Sequence, residues 1–509
     1  MNAGGKQINA LLHHGLRGSA ARFPGKEAIV HGDRRMTYAE VWTAVASLAS
    51  RLKSGLERGE RLGIFLEPSI PQALSIFAAS AADVVFVPIH HSLFPEQVGH
   101  ILSDCGAKGL ITTRARLAGL SDVLKRIPSL VVVLVADRDE LFAPEAPAPG
   151  EECLCSDLAA ILYTSGSTGK PKGVMLTHAQ IIAGAEIVSA YLGITSDDRI
   201  LAALPFSFDA GLNQIMTAFQ QGATIVLLNF RLAREIVDAL VKERITGLAG
   251  VPTLWTLLAH PSSTLSRNRL PHLRYITNTG GVMPQSMLAA LREALPATSI
   301  FLMYGFTEAF RSTYLKPEDL DHRPTSIGKA IPQTEIQILN DDGQPCAPGE
   351  VGELTHRGPT VALGYWGKPE LTKEVFRVRP DGATVCYSGD LVRSDDEGFI
   401  YYVGRRDALI KSSGFRISPT EVEEILCQNA SVRSVAVIGV PDELLGQRIK
   451  AFVVLNHPDE ECVAEALIRF CAERLPRYMV PETIEFIDDL PITGSGKVDY
   501  VALRSRGGG

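Results

Sequence analysis

Long apolar runs are missing from this chain. The longest, Leu130 to Ala136, is strand-sized and far short of the ~20 residues a membrane helix needs, so no membrane partner is expected. Lys6, His13, His14 and Arg17 interrupt the apolar core that a secretory leader would require. There is no basic excess either. With 57 acidic residues against 50 basic ones and a net charge of −7, a sequence-independent grip on nucleic acid is not expected. Cysteines are few and scattered: of the 8, only Cys153 and Cys155 are close. One intervening residue suits neither a zinc knuckle nor a thioredoxin-type redox pair, so free thiols in a reducing cytoplasm are expected. No internal repeat is visible.

What remains is ordinary soluble composition, 46% hydrophobic and 21% charged over 509 residues, enough for roughly three or four domain-sized units. Thr37 to Glu40 has the spacing of a capping box, with a helix running on from Val41 to Leu56, and another helix is expected from Ile8 to Arg22. Short apolar runs at 62–66, 84–89, 109–112 and 130–136 alternate with helical stretches at 71–82 and 95–105. A second such series runs through 199–204, 223–228, 247–251, 275–279 and 301–303. Alternation of this kind predicts an α/β fold with doubly wound, mostly parallel sheets. Pro144 to Gly150 reads as a stiff linker.

Beyond Lys329 short alternating strands (335–339, 352–357, 399–403) suggest a small β-rich subdomain over about 330–403. The expected organisation is a large unit over 1–403, a connector at 404–407, and a small α+β unit over 408–506 that can move as a body. Gly507 to Gly509 is expected to be a disordered tail.

Leu162 to Gly173 organises the rest. An apolar strand feeds Thr164, Ser165, Gly166, Ser167, Thr168, Gly169, Lys170, Pro171, Lys172 and Gly173. Glycines bring backbone N–H groups close to an anion, hydroxyls donate to phosphate oxygens, and lysines add charge. A flexible Ser/Gly surface loop is the plain alternative, against which the two lysines around Pro171 argue. It is not a P-loop of the Walker type, because Lys170 is followed by proline. Tyr304, Gly305, Phe306, Thr307 and Glu308 follow a strand and combine a ring for a purine, a hydroxyl for phosphate and a carboxylate for Mg²⁺. The competing reading makes Tyr304 core and Thr307–Glu308 a helix start. Asp390, on the turn Tyr387 to Asp390, can accept from ribose hydroxyls or form an exposed Asx turn. Lys497 stands on the glycine-rich run Thr493 to Asp499.

These motifs, in this order, resemble those of the AMP-forming adenylating enzymes: acyl- and aryl-CoA ligases, luciferases and peptide-synthetase adenylation domains. The resemblance extends from Thr37–Tyr38 to Lys497. It implies ATP and Mg²⁺, with acid activation as acyl-AMP followed by transfer to a thiol, either CoA or a carrier protein's phosphopantetheine. It also implies that the stretch Thr164 to Lys172 cradles phosphate, that Glu308 and Thr168 hold the metal, and that Tyr304 and Gly305 with Gly280 and Gly281 flank adenine. Asp390 would take the ribose and Arg405 the ribose or phosphate, with Arg416 nearby. Lys497, Thr307 and Glu308 would carry the chemistry, Asp407 the hinge, and Ser413 with Gly414 the thiol channel. Val282, after Gly281, and Tyr500, where an arginine is common, depart from the pattern. Registration places the acid pocket at Phe208, Asp209, Ala210, Asn213, Thr279, Met303, Arg311 and Ser312.

Phe208–Asp209 is like the pair in amino-acid-activating relatives, where the Asp holds an α-ammonium; Asp209 capping a helix is the alternative. Arg311 is left between a second substrate carboxylate and Glu308. The run Tyr304 to Leu315 with Ser326 to Ala330 looks most like a bacterial acyl-CoA-ligase subgroup associated with exosortase export. A small carboxylic acid is the implied substrate, any carrier protein is expected to be a separate chain, and the protein is expected to be a monomer or homodimer. Adenylate formation without thioester transfer, and a scaffold that has lost the chemistry, are the competing classes.

Overall fold

The computed structural model describes residues 11–137, 139–143, 150–164, 171–260, 263–406, 408–412, 415–442, 445–456, 464–494 and 496–507. The linker 144–149, Asp407 and the last two glycines therefore lie outside the described residues.

The α/β expectation holds. One sheet of seven strands has the order Gly364–Tyr365, Lys172–Thr177, Leu158–Thr164, Val85–Pro88, Arg61–Phe65, Gly109–Thr112 and Val132–Val135. Its five strands from Leu158–Thr164 to Val132–Val135 run parallel, and the first two pair antiparallel. The second sheet has fourteen strands. Six parallel strands form its centre: Glu27–His31, Thr224–Leu227, Arg199–Ala202, Gly247–Gly250, Tyr275–Asn278 and Ser299–Tyr304. The β-rich stretch after residue 330 continues this sheet with antiparallel strands, linked through Thr313–Leu315 and Ser326–Ala330.

Local sequence explains the elements. Thr37 and Glu40 close the anticipated capping box on the helix Tyr38–Lys53, which satisfies two otherwise orphaned N–H groups. The helix Ile70–Ala81 is apolar on nearly every side and contributes to an apolar core that takes residues from both sheets. Such a helix has to be sandwiched. The stretch after Gly173 is a strand to Thr177 and then the helix His178–Leu192, again with a capping box. The strand Glu27–His31 escaped the apolar pattern because charge flanks its short buried centre. The helix expected from Ile8 spans Leu12–Arg22 among the described residues.

Residues from Ile410 onward form a third, five-stranded sheet with its own apolar core. The helix Pro419–Leu426 covers it, and Tyr500–Gly507 packs on the strand Val432–Asp442. Gly507 thus ends a helix rather than opening the tail. The seven described cysteines are all free thiols, and no helix among the described residues is long and apolar enough to cross a membrane.

Candidate active site

Strand ends bring the motifs together. Leu158–Thr164 and Lys172–Thr177 pair antiparallel, with Thr164 opposite Lys172. The Thr164 hydroxyl is buried without a partner among the described residues. A phosphate oxygen is the sort of acceptor that would satisfy it. Ser165, Gly166, Ser167, Thr168, Gly169 and Lys170 lie outside the described residues, as do Ser413 and Gly414, and so does the side chain of Arg416.

Lys172 reaches Glu308. Its Nζ lies 3.2 Å from Glu308 Oε1 and donates to Tyr365 Oη at 2.8 Å. Tyr365 Oη in turn donates to Glu308 Oε1 at 2.6 Å. Tyr365 is buried; burial first, and then the neighbouring Glu308 charge, raises the pKa of its hydroxyl. Thr307 and Glu308 occupy a turn and open no helix, which removes that half of the competing reading; Tyr304 does pack against an apolar cluster.

Tyr304 ends the strand Ser299–Tyr304, and its hydroxyl donates to Asp390 Oδ2 at 2.5 Å. Burial, then the Asp390 charge, holds its pKa well above the ordinary tyrosine value. Asp390 follows Gly389, whose φ of +72° is left-handed, and its N–H donates to Ser388 Oγ. It is a buried carboxylate, not an exposed Asx turn. Arg405 stands opposite it across the strand pair, with Nη1 3.6 Å from Asp390 Oδ1.

The third sheet's unit contributes Lys497. A Cβ added to Gly280, whose φ is +79°, would lie 3.0 Å from Lys497 Cε and 3.8 Å from its Nζ. A side chain at this position would press on the lysine and would also have to adopt a left-handed backbone. Thr253 Oγ1 donates to the Gly496 carbonyl at 2.6 Å, and Gly494 passes close to the ring of His90. His90 Nδ1 accepts from the Ser92 N–H, which assigns the ring proton to Nε2. Burial, with smaller contributions from His91 and Arg116, lowers its pKa to about 4. His90 also lies 5.4 Å from the ring of Phe208. A continuous path therefore runs from the lysine loop to the expected acid pocket. Gly281 adjoins Pro252, and its carbonyl accepts from Asn278 Nδ2.

In that pocket Asp209 is the first residue of the helix Asp209–Gln221, one position past the N-cap residue Phe208, which makes no side-chain cap. Its partner is Arg311, with Nη1 3.4 Å from Asp209 Oδ2. Among the described residues Arg311 therefore pairs with Asp209 rather than with Glu308, so a substrate ammonium at Asp209 would meet a carboxylate that already has a cationic partner. Arg311 is buried, and its Nε has no partner among the described residues. The turn that presents it is tightly built. Phe310 has φ +62°, a Cβ on Gly305 would sit 2.2 Å from the Phe310 carbonyl, and Gly184 leaves space for the Phe310 ring. Non-glycine residues in this region of φ are uncommon and cluster at functional sites.

Met303 Sδ accepts from Tyr191 Oη, and Tyr191 stacks on Tyr314 with centroids 4.3 Å apart. Asn213 and Thr279 are buried, and Ala210 is partly buried against an apolar cluster. Ser312 is fully buried and bonded to His356 Nδ1 at 2.9 Å, so its hydroxyl serves the interior. Thr360 takes His356 Nε2, and burial lowers this histidine's pKa to about 3.

Sequence reasoning missed Tyr365, His90 and Thr253. The only signal for Tyr365 was Gly364–Tyr365, two residues that form a strand too short to show a period.

Comparison with known proteins agrees with this geometry. Residues 16–366 match the AMP-binding enzyme family, and residues 421–497 match the AMP-binding enzyme C-terminal domain. Feruloyl-CoA synthase from Amycolatopsis sp is 34% identical over 499 residues, covering 95% of this chain and 96% of that one. The crystal structure of the anthranilate CoA ligase AuaEII with anthranoyl-AMP has TM-score 0.90 at 28% identity, covering 100% of this chain and 99% of that one. o-Succinylbenzoate CoA synthetase from Bacillus subtilis, with ATP and magnesium ion, has TM-score 0.84 at 29% identity over 97% of this chain and 98% of that one. The paired motifs, the two-unit architecture and these matches along nearly the whole length agree: the chain belongs to the family of AMP-binding enzymes.

Proposed function

We propose that the protein activates a small carboxylic acid as acyl-AMP and passes the acyl group to the thiol of CoA, with the residues above in the following roles. A carboxylate oxygen attacks the α-phosphorus of ATP, the bond to the β-phosphate oxygen breaks, and pyrophosphate leaves. The thiol sulfur then attacks the acyl carbon of the mixed anhydride; AMP leaves and the thiol proton is lost. Two anions must meet in the first step, so charge neutralisation and positioning supply most of the catalysis.

The observation that carries the reading is the Lys497 side chain packed over Gly280, because it brings a cation from the small unit onto the glycine turn of the large one. Lys497 would bridge the acid carboxylate and the α-phosphate. Thr164, Lys172 and Thr307 would bind phosphate, Tyr304 and Asp390 the nucleoside, and Arg405 its ribose or phosphate. The fit to Mg²⁺ rests on Glu308, a hard oxygen donor of the kind that holds Mg²⁺ together with substrate phosphates; without the ion its charge is met by the Lys172 ammonium at 3.2 Å. By resemblance Thr168 would join it. Bound there, the ion would neutralise phosphate charge.

The small unit would turn about Asp407 between half-reactions, presenting Lys497 for the first and the Gly414 side for the second. The acid itself would carry an acceptor oxygen beyond its reacting carboxylate. A buried guanidinium with one long ion pair and an unpartnered Nε favours such a group over a plain hydrocarbon chain. An amino acid would have to displace Arg311 from Asp209. ATP–pyrophosphate exchange across hydroxylated aryl, dicarboxylic, amino and alkyl acids tests this, with thioester detection using CoA against a holo-carrier protein. Exchange highest with alkyl acids would contradict the pocket reading, and no exchange with any acid would contradict the function.

A further inference from the structure

Among the groups that line the site, one is fully built and has no role in the scheme so far. Tyr365 is 2% exposed, and its hydroxyl uses both of its capacities, accepting from Lys172 at 2.8 Å and donating to Glu308 at 2.6 Å. The Lys172 ammonium also lies 4.2 Å from the centroid of the phenol ring.

The phenol is held from several sides. The strand Gly364–Tyr365 pairs with Lys172–Thr177, placing Tyr365 opposite Val174. The Tyr365 N–H donates to Thr372 Oγ1 at 2.9 Å. Phe376 meets the ring edge-to-face at 5.6 Å. Gly364 has φ +134°, and a Cβ there would fall 2.4 Å from Thr372 Cγ2. The residue before the tyrosine is therefore one that only glycine can fill, and the hydroxyl has little freedom to leave Glu308.

The charge balance gives this arrangement a purpose. Without a divalent cation, Lys172 neutralises Glu308. A metal ion on that carboxylate would repel the ammonium 3.2 Å away, and the lysine gains more by moving to nucleotide phosphate. During that exchange Glu308 loses one of its two described partners and needs the other to keep its rotamer. We propose that Tyr365 is a positioning residue that holds the Glu308 carboxylate in metal-binding orientation while Lys172 is exchanged for a divalent cation. This rests on Glu308 being the metal ligand. Residues that orient a ligating carboxylate by hydrogen bonding characteristically change metal affinity 10–100-fold when removed.

The test is Tyr365→Phe in the full-length enzyme, which removes the hydroxyl and keeps the ring. Mn²⁺ binding is followed by electron paramagnetic resonance with saturating α,β-methylene-ATP. The expected result is about tenfold weaker Mn²⁺ binding. The apparent KM for Mg²⁺ should rise in parallel, with kcat at saturating Mg²⁺ within about threefold of the parent and metal-free AMP binding unchanged. Mn²⁺ affinity within twofold of the parent overturns the proposal. So does an equal loss of metal-free AMP binding, which would mark general damage to the site. Glu308→Gln is measured alongside. If it keeps full Mn²⁺ affinity, Glu308 is not the ligand and the underlying reading fails, whatever Tyr365 does.

Discussion

Tyr304 and Asp390 show how much a single hydroxyl decides here. The sequence gives each a separate reason to touch the nucleoside, and the fold joins them by a 2.5 Å bond. Tyr304→Phe would leave a buried carboxylate short of one donor, at a cost of about 1–3 kcal/mol. The expected outcome is a lower melting temperature and a raised KM for ATP with kcat nearly unchanged, measured by calorimetry and steady-state kinetics. Arg311→Met would leave Asp209 without its guanidinium. Exchange with acids bearing a second oxygen should fall about tenfold or more while alkyl acids lose little, since a missing charged partner costs roughly 1.5–3 kcal/mol. The glycine, hydroxyl and lysine motifs were legible at this scale because their chemistry is local. The partners were not. Lys172 and Tyr365 are separated by 193 residues and Asp209 and Arg311 by 102, and no local pattern reports which distant side chain a charge will meet.

Among the elements, the turn that follows the strand Ser299–Tyr304 is the most constrained. Gly305 abuts the Phe310 carbonyl, and Phe310 itself is left-handed. Gly305→Ala forces this turn outward and with it Arg311 and the Thr307–Glu308 pair. Activity should fall at least 100-fold, whereas the melting temperature should drop only by the few degrees that ~1–3 kcal/mol of local overpacking implies for a large chain. Comparable losses of fold and activity, read from circular dichroism and pyrophosphate exchange, would contradict this. Apart from Glu27–His31, the strands of the parallel centre were legible because they are buried on both faces and read as apolar runs. Gly364–Tyr365 and Thr313–Leu315 were not, because strands of two or three residues carry no period and are defined by what they pair with.

For the molecule as a whole, buried histidines couple the fold to pH. His13, His90 and His178 are each lowered to about 4, and His356 to about 3, with burial the largest cause in all four. An unfolded histidine takes up its proton near pH 6.5, before the folded one does. Stability from these groups is therefore fully present above that value and is lost as pH falls towards 4. The melting temperature should drop steadily between pH 6.5 and 4, each histidine contributing up to about 1.4 kcal/mol per pH unit. His356→Gln should flatten that slope; an unchanged slope would show that His356 titrates normally. The contact of the small unit with the large one also belongs to this scale. It rests in part on the Thr253–Gly496 bond, and two distant segments meeting across units is beyond what a linear pattern can show.

The central claim is that Lys497 from the small unit and the glycine turn of the large unit share one acid-activating site. Its most direct test is Lys497→Ala assayed separately for the two half-reactions. ATP–pyrophosphate exchange should fall by about 10²–10³, the usual loss when one charge-stabilising group is removed, while thioester formation from supplied acyl-AMP and CoA stays within a few-fold of the parent. Exchange at the parent rate, or equal loss of both half-reactions, would contradict the account.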